Sequence, residues 1–341
     1  MARSPIPTAE GVVAPAEVTE TSTLLPTAIR DRLRSVTATN AQVRRHEVTG
    51  LSLMTASALG FSLMSLFVKL SGERFPTMEI VFSRSILHFF LALAWCWSLG
   101  KSALGPRHHR GWLLLRGASG TLGLACFFYG LTHLPLADAT VLFFTSPVFT
   151  AIFAHYALNE TFTSLDKAAS ALCMVGIVLV AKPSFLFGIG HIYDDLMLGR
   201  LVASVMTVMG AILGAISYVI VRKVGTEVHF TTHIVYFGGL SALFSGSSMV
   251  LGAGFVWPTT WQEWGTLALV GVCSFFGQAC LSKGLQMCRA GPATLMRNLD
   301  VVFAFAFGIF LFGEIPDLLS ITGAALVLVC TVGMGLNKWL R

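Results

Sequence analysis

The sequence predicts an all-α membrane protein in which ten transmembrane helices form two inverted five-helix repeats. Three observations carry this. The chain is 55% hydrophobic and only 12% charged over 341 residues, with a mean hydropathy of +0.74. From Leu51 onward, apolar runs of about 20 residues, the length a bilayer core demands of a helix, alternate with short polar breaks. The second half of the chain also echoes the first at an offset of 154 positions.

Composition excludes the ordinary soluble classes. A water-soluble domain needs roughly a quarter of its residues charged, and half of that leaves too little polar surface. The formal charge of +6 does not point to nucleic acid, because the basic residues lie in short loops and one tail, a distribution that orients a chain in a bilayer. All seven cysteines fall in or beside apolar runs, so no disulfide framework is expected.

The elements follow in order. Residues 1–49 are rich in Thr, Ala, Pro and Arg, contain no run long enough to span, and are expected to be a disordered cytosolic tail without the apolar core of a signal peptide. Within the tail, Glu20 followed by Leu24 and Leu25 has the form of an acidic dileucine signal for a sorting adaptor. The expected spans are 50–70, 78–99, 112–132, 137–158 and 166–182 in a first repeat of residues 50–182. A second repeat of residues 196–337 holds 200–221, 231–252, 264–286, 293–312 and 317–336. Pro76, Gly105-Pro106, Pro135, Pro183, Pro258, Gly291-Pro292 and Pro316 punctuate them. The runs are continuously apolar and do not alternate strictly, which favours helices over a barrel.

Loop charge sets the expected orientation. With the tail in the cytosol, the cytosolic loops hold Lys101, Arg107, Arg110, Lys167, Arg222, Lys223 and Arg289, and the opposite loops hold Arg74, Lys182 and Arg200. Both termini are therefore expected inside, in an endomembrane or the plasma membrane. The sequon Asn159-Glu-Thr161 falls on the cytosolic face and should carry no glycan.

The repeat is visible residue by residue. A shift of 154 brings Ala125-Cys126 onto Ala279-Cys280, Gly130-Leu131 onto Gly284-Leu285, Ala139-Thr140 onto Ala293-Thr294, Val148-Phe149 onto Val302-Phe303, Phe153 onto Phe307 and Glu160 onto Glu314. That makes ten identities in 36 ungapped positions, and the paired Glu is not a product of apolar composition. Five is odd, so the second repeat enters the membrane from the opposite side, as in many secondary transporters that bind substrate between their halves.

Leu136 to Thr150, ending at Glu160, resembles the EamA repeat of the drug/metabolite transporter superfamily. Lys283-Gly-Leu-Gln286, Ala290-Gly-Pro-Ala293 and Asp300 to Phe305, with Glu79 to Arg84 and Lys182 to Gly188, are similar to subgroup G of solute carrier family 35. The resemblance covers about residues 50–338. It implies ten helices, two EamA repeats and alternating access without ATP hydrolysis, and no phosphate-binding loop or cofactor motif contradicts it.

The ionisable residues inside the expected spans are the candidates for solute contact. Arg84 lies about 9 Å into the second helix at 1.5 Å per residue. A cation there costs roughly 2.5–3.5 kcal/mol, so it needs a cavity or a partner such as Glu79 or Glu73. Lys283 is near the end of helix 8 and can snorkel to the interface. Arg297 and Asp300 are three apart on helix 9 and can pair. Under the repeat shift these positions fall on Tyr129, Phe143 and Ser146, so the charges belong to one repeat only. Glu160 and Glu314 end helices 4 and 9 and are read as structural or gating residues. Gly117-Ala-Ser-Gly120 resembles a serine hydrolase motif, but no base is placed to serve it, and close helix packing explains it. His88, His133 and His155 stand singly, and His229 and His233 have a spacing zinc can use but lack further ligands.

The sequence therefore points to a secondary transporter or exchanger of a small hydrophilic anion, a carboxylate or a phosphorylated or nucleotide-sugar-type solute, with no cofactor, no nucleic-acid partner and no enzymatic role. Arg84, Lys283, Arg297 and Asp300 are the expected substrate-binding residues, and a second copy of the chain is a candidate partner. The alternative is a non-transporting membrane partner that regulates a channel or receptor.

Overall fold

The computed structural model describes residues 27–72, 74–134, 142–160, 163–181, 197–312 and 318–340, with positions 139 and 186 singly. Every regular element among them is helical. Contacts divide the chain into Met1–Arg45 and a helical body, His46–Arg341.

In chain order the helices are α1 (Thr27–Gly72), α2 (Thr77–Ser98), α3 (Arg110–His133), α4 (Ser146–Leu158), α5 (Ser164–Ala181), α6 (Met197–Val224), α7 (Phe230–Ser248), α8 (Trp261–Met287), α9 (Ala290–Met296), α10 (Leu299–Phe312) and α11 (Leu318–Leu340). Six segments among the described residues are long and apolar enough to cross a membrane: Arg45–Gly72, Thr77–Ser98, Arg107–Gly130, Gly199–Glu227, Phe230–Gly252 and Trp261–Met287. Ser146–Leu158 and Leu318–Cys330 are shorter apolar helices. The chain is thus a multi-pass membrane protein, with six helices long and apolar enough to cross among the described residues where the sequence led us to expect ten spans.

Local chemistry explains the boundaries. Helix α2 starts directly after Pro76, whose fixed φ and missing N–H suit a helix entrance. Helix α8 opens with a capping box: the Glu263 N–H donates to Thr260 Oγ1 at 3.3 Å, and the Thr260 N–H donates to Glu263 Oε2 at 3.2 Å. Helix α4 ends at Asn159, which takes the left-handed conformation at φ 53°, a role asparagine tolerates. Residues 27–49 were expected to be disordered, yet they belong to α1. No Gly or Pro interrupts that stretch, and Ala, Arg, Leu and Gln are good helix formers.

The sequence also predicts unbroken helices over 137–158 and 293–312, and here the structure differs. Between α9 and α10 the backbone tightens: Asn298 donates to Leu295 O at 3.0 Å, Asp300 to Arg297 O at 3.0 Å and Val301 to Asn298 O at 3.1 Å. Just before α4, Thr145 donates to Leu142 O at 3.3 Å and Val148 to Thr145 O at 3.0 Å. These i→i−3 bonds replace the α-helical pattern at equivalent places, since Thr145 falls on Leu299 under the repeat shift. In the first repeat Pro147 lacks the N–H that an α-helix would use.

Small residues bring the main helix pairs together. The pairs α3–α6, α2–α7 and α5–α11 pack most extensively. A Cβ on Gly210 would lie 2.8 Å from Gly123 O, one on Gly238 2.9 Å from the Phe89 nitrogen, and one on Gly176 2.8 Å from Gly323 O. Each is a backbone-to-backbone approach that only glycine permits. Gly117 packs in the same way, its added Cβ falling 3.0 Å from Tyr236 O.

Candidate functional site

The core of the bundle holds a group of basic side chains with few partners. Arg84 projects from α2 and is buried. Its Nη1 lies 3.8 Å from the Met64 sulfur, a weak acceptor, and Nε and Nη2 have no hydrogen-bond partner. Glu79, one turn and a residue earlier, does not serve it. The Glu79 carboxylate accepts the Val256 N–H at 2.8 Å and so ties the α7–α8 connection to the start of α2. Glu73 lies outside the described residues.

Arg116 comes from α3 and is 2% exposed. Its guanidinium carbon sits 4.7 Å from the centre of the Phe237 ring, a cation–π arrangement, while Nε and Nη1 have no hydrogen-bond partner. The same Phe237 ring is 6.3 Å from that of His88, whose other flank is Phe275 at 6.1 Å. His88 lies one helical turn from Arg84 and within electrostatic range of both Arg84 and Arg116. The Ser274 main chain is close to its ring, but neither ring nitrogen completes a hydrogen bond. His233 on α7 is fully buried with both ring nitrogens unpaired, in electrostatic range of Arg116 and His109. Hydroxyl groups line the same seam. Ser85 Oγ donates to Ser241 Oγ at 2.9 Å, and a small, mainly apolar crevice between Met78, Val81, Leu124, Phe128 and Phe244 also takes in Thr121 and Ser241.

Position along the helices sharpens the picture. Arg84 is about 10 Å from the start of α2, and Arg116 about 9 Å from the start of α3, at 1.5 Å per residue. Among the described residues no carboxylate pairs with either.

A second group lies at the break between α9 and α10. Arg297 Nη1 donates to the Tyr218 hydroxyl on α6, and its guanidinium lies 4.9 Å from the centre of the Phe61 ring and 5.6 Å from that of Tyr218. Asp300 is in electrostatic range of Arg297, but the two close no ion pair among the described residues, so Tyr218 takes the place the sequence assigned to Asp300. Tyr218 is also in electrostatic range of Arg116 and links the two groups. Lys283 is apart from both, near the end of α8, with its Nζ 5.9 Å from the Phe230 ring. Beside it, burial first and then the charges of Lys283 and Lys101 hold the His229 imidazole below its ordinary value.

At the end of the bundle where α4, α6 and α8 finish, Glu160 is fully engaged. Its Oε1 accepts Arg222 Nε at 2.9 Å and its Oε2 accepts the Ala290 N–H at 2.9 Å. Arg222 Nη1 donates onward to Gln286 O at 3.1 Å, and Gln286 Nε2 donates to Gly225 O at 2.7 Å and Val228 O at 2.8 Å. One carboxylate therefore clasps the ends of α4, α6 and α8 to the start of α9. At the other end, Arg74 Nε meets Glu263 Oε1 at 2.9 Å. Glu314, Leu24 and Leu25 lie outside the described residues. Among the described residues, His108, His109 and Glu227 place their ligand atoms within 4.8 Å of one another. The His109–Glu227 contact of 2.7 Å already pairs the carboxylate, and Arg107 and Arg110 beside it oppose a further cation.

Sequence reasoning passed over Arg116, although it lies four residues inside an expected span and carries the same signal as Arg84. His88 was read as standing singly and His233 as paired in spacing with His229, and nothing local in the sequence shows that both ring edges of each go unsatisfied.

Residues 48–182 and 201–336 each match the family model described as the EamA-like transporter family. The chain is 32% identical over 292 residues to human solute carrier family 35 member G1, with 85% of this chain and 80% of that protein covered. It is 28% identical over 290 residues to the pseudopaline exporter of Pseudomonas aeruginosa strain UCBPP-PA14, covering 85% of this chain and 97% of the exporter. A solved crystal structure superposes with a TM-score of 0.72 at 14% identity over 86% of this chain and 99% of the other, a likeness of fold.

Proposed function

The chain belongs to the EamA-like transporter family, near subgroup G of solute carrier family 35, and from that premise of a membrane transporter we propose that it carries a small hydrophilic organic anion by alternating access. The observation behind this reading is the pair of buried guanidinium groups, Arg84 and Arg116, that no carboxylate of the described chain neutralises. A cation left alone in low dielectric is costly. A scaffold gains nothing from two of them, whereas a substrate carboxylate or phosphate completes both. Guanidinium groups suit two-point recognition of either anion. The relative named as a pseudopaline exporter supports transport of a solute across the membrane.

In this reading residues 50–182 and 196–337 are inverted five-helix repeats, which makes ten crossings with both termini cytosolic. The solute sits between them, held by Arg84, Arg116 and the Arg297–Tyr218 pair. Asp300 tunes Arg297, and Lys283 attracts the solute near one mouth. The matching breaks before α4 and between α9 and α10 are where helices bend as access alternates, because irregular backbone at membrane depth is characteristic of transporter sites. The Glu160–Arg222 clasp holds the helix ends together on the cytosolic side. The experiment is uptake into proteoliposomes with a panel of carboxylates, phosphorylated metabolites, neutral solutes and cations. Arg84→Gln and Arg116→Gln should each cut anion uptake by about tenfold or more, or about 1.4 kcal/mol, with insertion intact. Uptake of a neutral or cationic solute that survives both substitutions would overturn the reading.

A further inference from the structure

We propose that His88 and His233 bind the protons that accompany the anion, which makes the site a proton-coupled one. The inference rests on the anion reading above and adds the coupled ion. It starts from four ring nitrogens: both histidines are buried, and none of the four completes a hydrogen bond. Buried polar groups are nearly always paired, and a neutral imidazole whose job is packing would have its N–H satisfied. Two such rings on different helices, both in electrostatic range of Arg116, with His88 sharing the Phe237 ring with it, place titratable groups near the cationic centre.

The surroundings determine what these rings can do. From α2, His88 faces Arg84 on its own helix, and Cys96 lies two turns on with its sulfur 3.1 Å from Thr231 Oγ1. From α3 come Arg116 and, at the helix start, His109, which is paired with Glu227. From α8 come the Ser274 main chain, the Gln278–Ser282 hydrogen-bonded pair and the Cys280 thiol, and α7 brings Ser241 and Ser245. Among the described residues, no carboxylate is among the charged groups facing His88 and His233. With the site empty, a charged ring here would be buried near guanidinium groups with no counter-charge among the described residues. An anion seated against the arginines supplies the counter-charge and acceptor an imidazolium needs. Anion and proton therefore bind together. Each proton comes from water at the open mouth, adds to a ring nitrogen without other bond changes, and leaves to water at the opposite mouth when the anion departs. Imidazole is the side chain whose ordinary titration range makes this exchange feasible near neutral pH.

The test uses the full chain purified in detergent with sulfate and oxalate as probes, because both keep their charge between about pH 7.5 and about pH 5.5, the range in which imidazole titrates. Affinity for the probes should rise about tenfold over that interval, one unit of linked protonation. Calorimetry in two buffers of different ionisation enthalpy should register proton uptake on binding. In His88→Gln and His233→Gln, and most fully in the double variant, the ratio of affinities at the two pH values should flatten to less than about twofold, whatever the absolute affinity. Binding without proton uptake, or an unchanged slope in the double variant, would overturn the coupling and leave the anion reading standing. No binding of either probe at any pH would overturn both. The parent's buffer dependence needs no variant, so a variant that misfolds does not block the test.

Discussion

At Glu160 both carboxylate oxygens have donors, from Arg222 and from the Ala290 main chain. At Arg84 and Arg116, four guanidinium nitrogens have none. These two regions lie in the same bundle and show the two ways a membrane protein uses charge. Where every polar atom is satisfied inside the chain, the charge holds helices in place and its value is structural. Where burial is nearly complete and satisfaction is absent, the free energy is higher than a scaffold requires, and a ligand can recover the difference. The contrast predicts opposite signs for stability and for transport, so each region can be tested against the other.

The largest effect should come from Arg116. Arg116→Met is expected to abolish anion uptake while leaving the midpoint of thermal unfolding of the empty protein unchanged or higher, since an unpaired buried cation is lost. A fall in midpoint with uptake preserved would move Arg116 to the structural side. Next, Glu160→Gln should destabilise the protein by about 1–3 kcal/mol, because it weakens a charge-assisted pair and a main-chain contact that are only partly exposed. Unfolding of the purified protein measures this, and a double-mutant cycle with Arg222→Gln should show coupling between the two residues.

How far the sequence foretold these regions depends on the distance over which each is built. The helices were legible because hydrophobic length is a local property, and the boundaries at Pro76, Thr260 and Asn159 follow from local capping and turn chemistry. The clasp was half legible: Glu160 stood out as a repeated residue, but its partner Arg222 is 62 positions away, and no spacing rule joins them. The break at Arg297 and Asn298 was not legible, because the segment has no Gly or Pro at that point and the apolar residues on both sides of Arg297, Asn298 and Asp300 set the expected span. Arg84 was legible as an intramembrane charge, but its expected partner Glu79 is taken by the Val256 N–H, a contact that exists only once α7 and α8 are folded back against α2. Tyr218 as the receiver of Arg297 is likewise a product of tertiary packing.

Smaller effects sharpen the comparison. Thr260→Ala should cost about 1 kcal/mol by removing the α8 capping box, visible in thermal unfolding and not in substrate affinity. Lys283→Met should change uptake less than threefold, or under about 0.7 kcal/mol, because Lys283 stands apart from the buried cations; a loss as large as that of Arg116→Met would enlarge the site toward the end of α8. The smallest expected effect is none at all. Glycosidase treatment should leave the mass of the parent protein expressed in eukaryotic cells unchanged, since the Glu160 end is read as cytosolic, and a mass shift that Asn159→Gln removes would reverse the orientation.

The most direct measurement of the central claim is proteoliposome uptake of each carboxylate or phosphorylated metabolite beside its neutral analogue, the amide or the dephosphorylated compound, so that size is held and charge is varied. The account predicts uptake of at least one anion, little uptake of its neutral analogue, and loss of the anion's uptake in both Arg84→Gln and Arg116→Gln. Equal uptake of the two analogues, undiminished by either substitution, would contradict it.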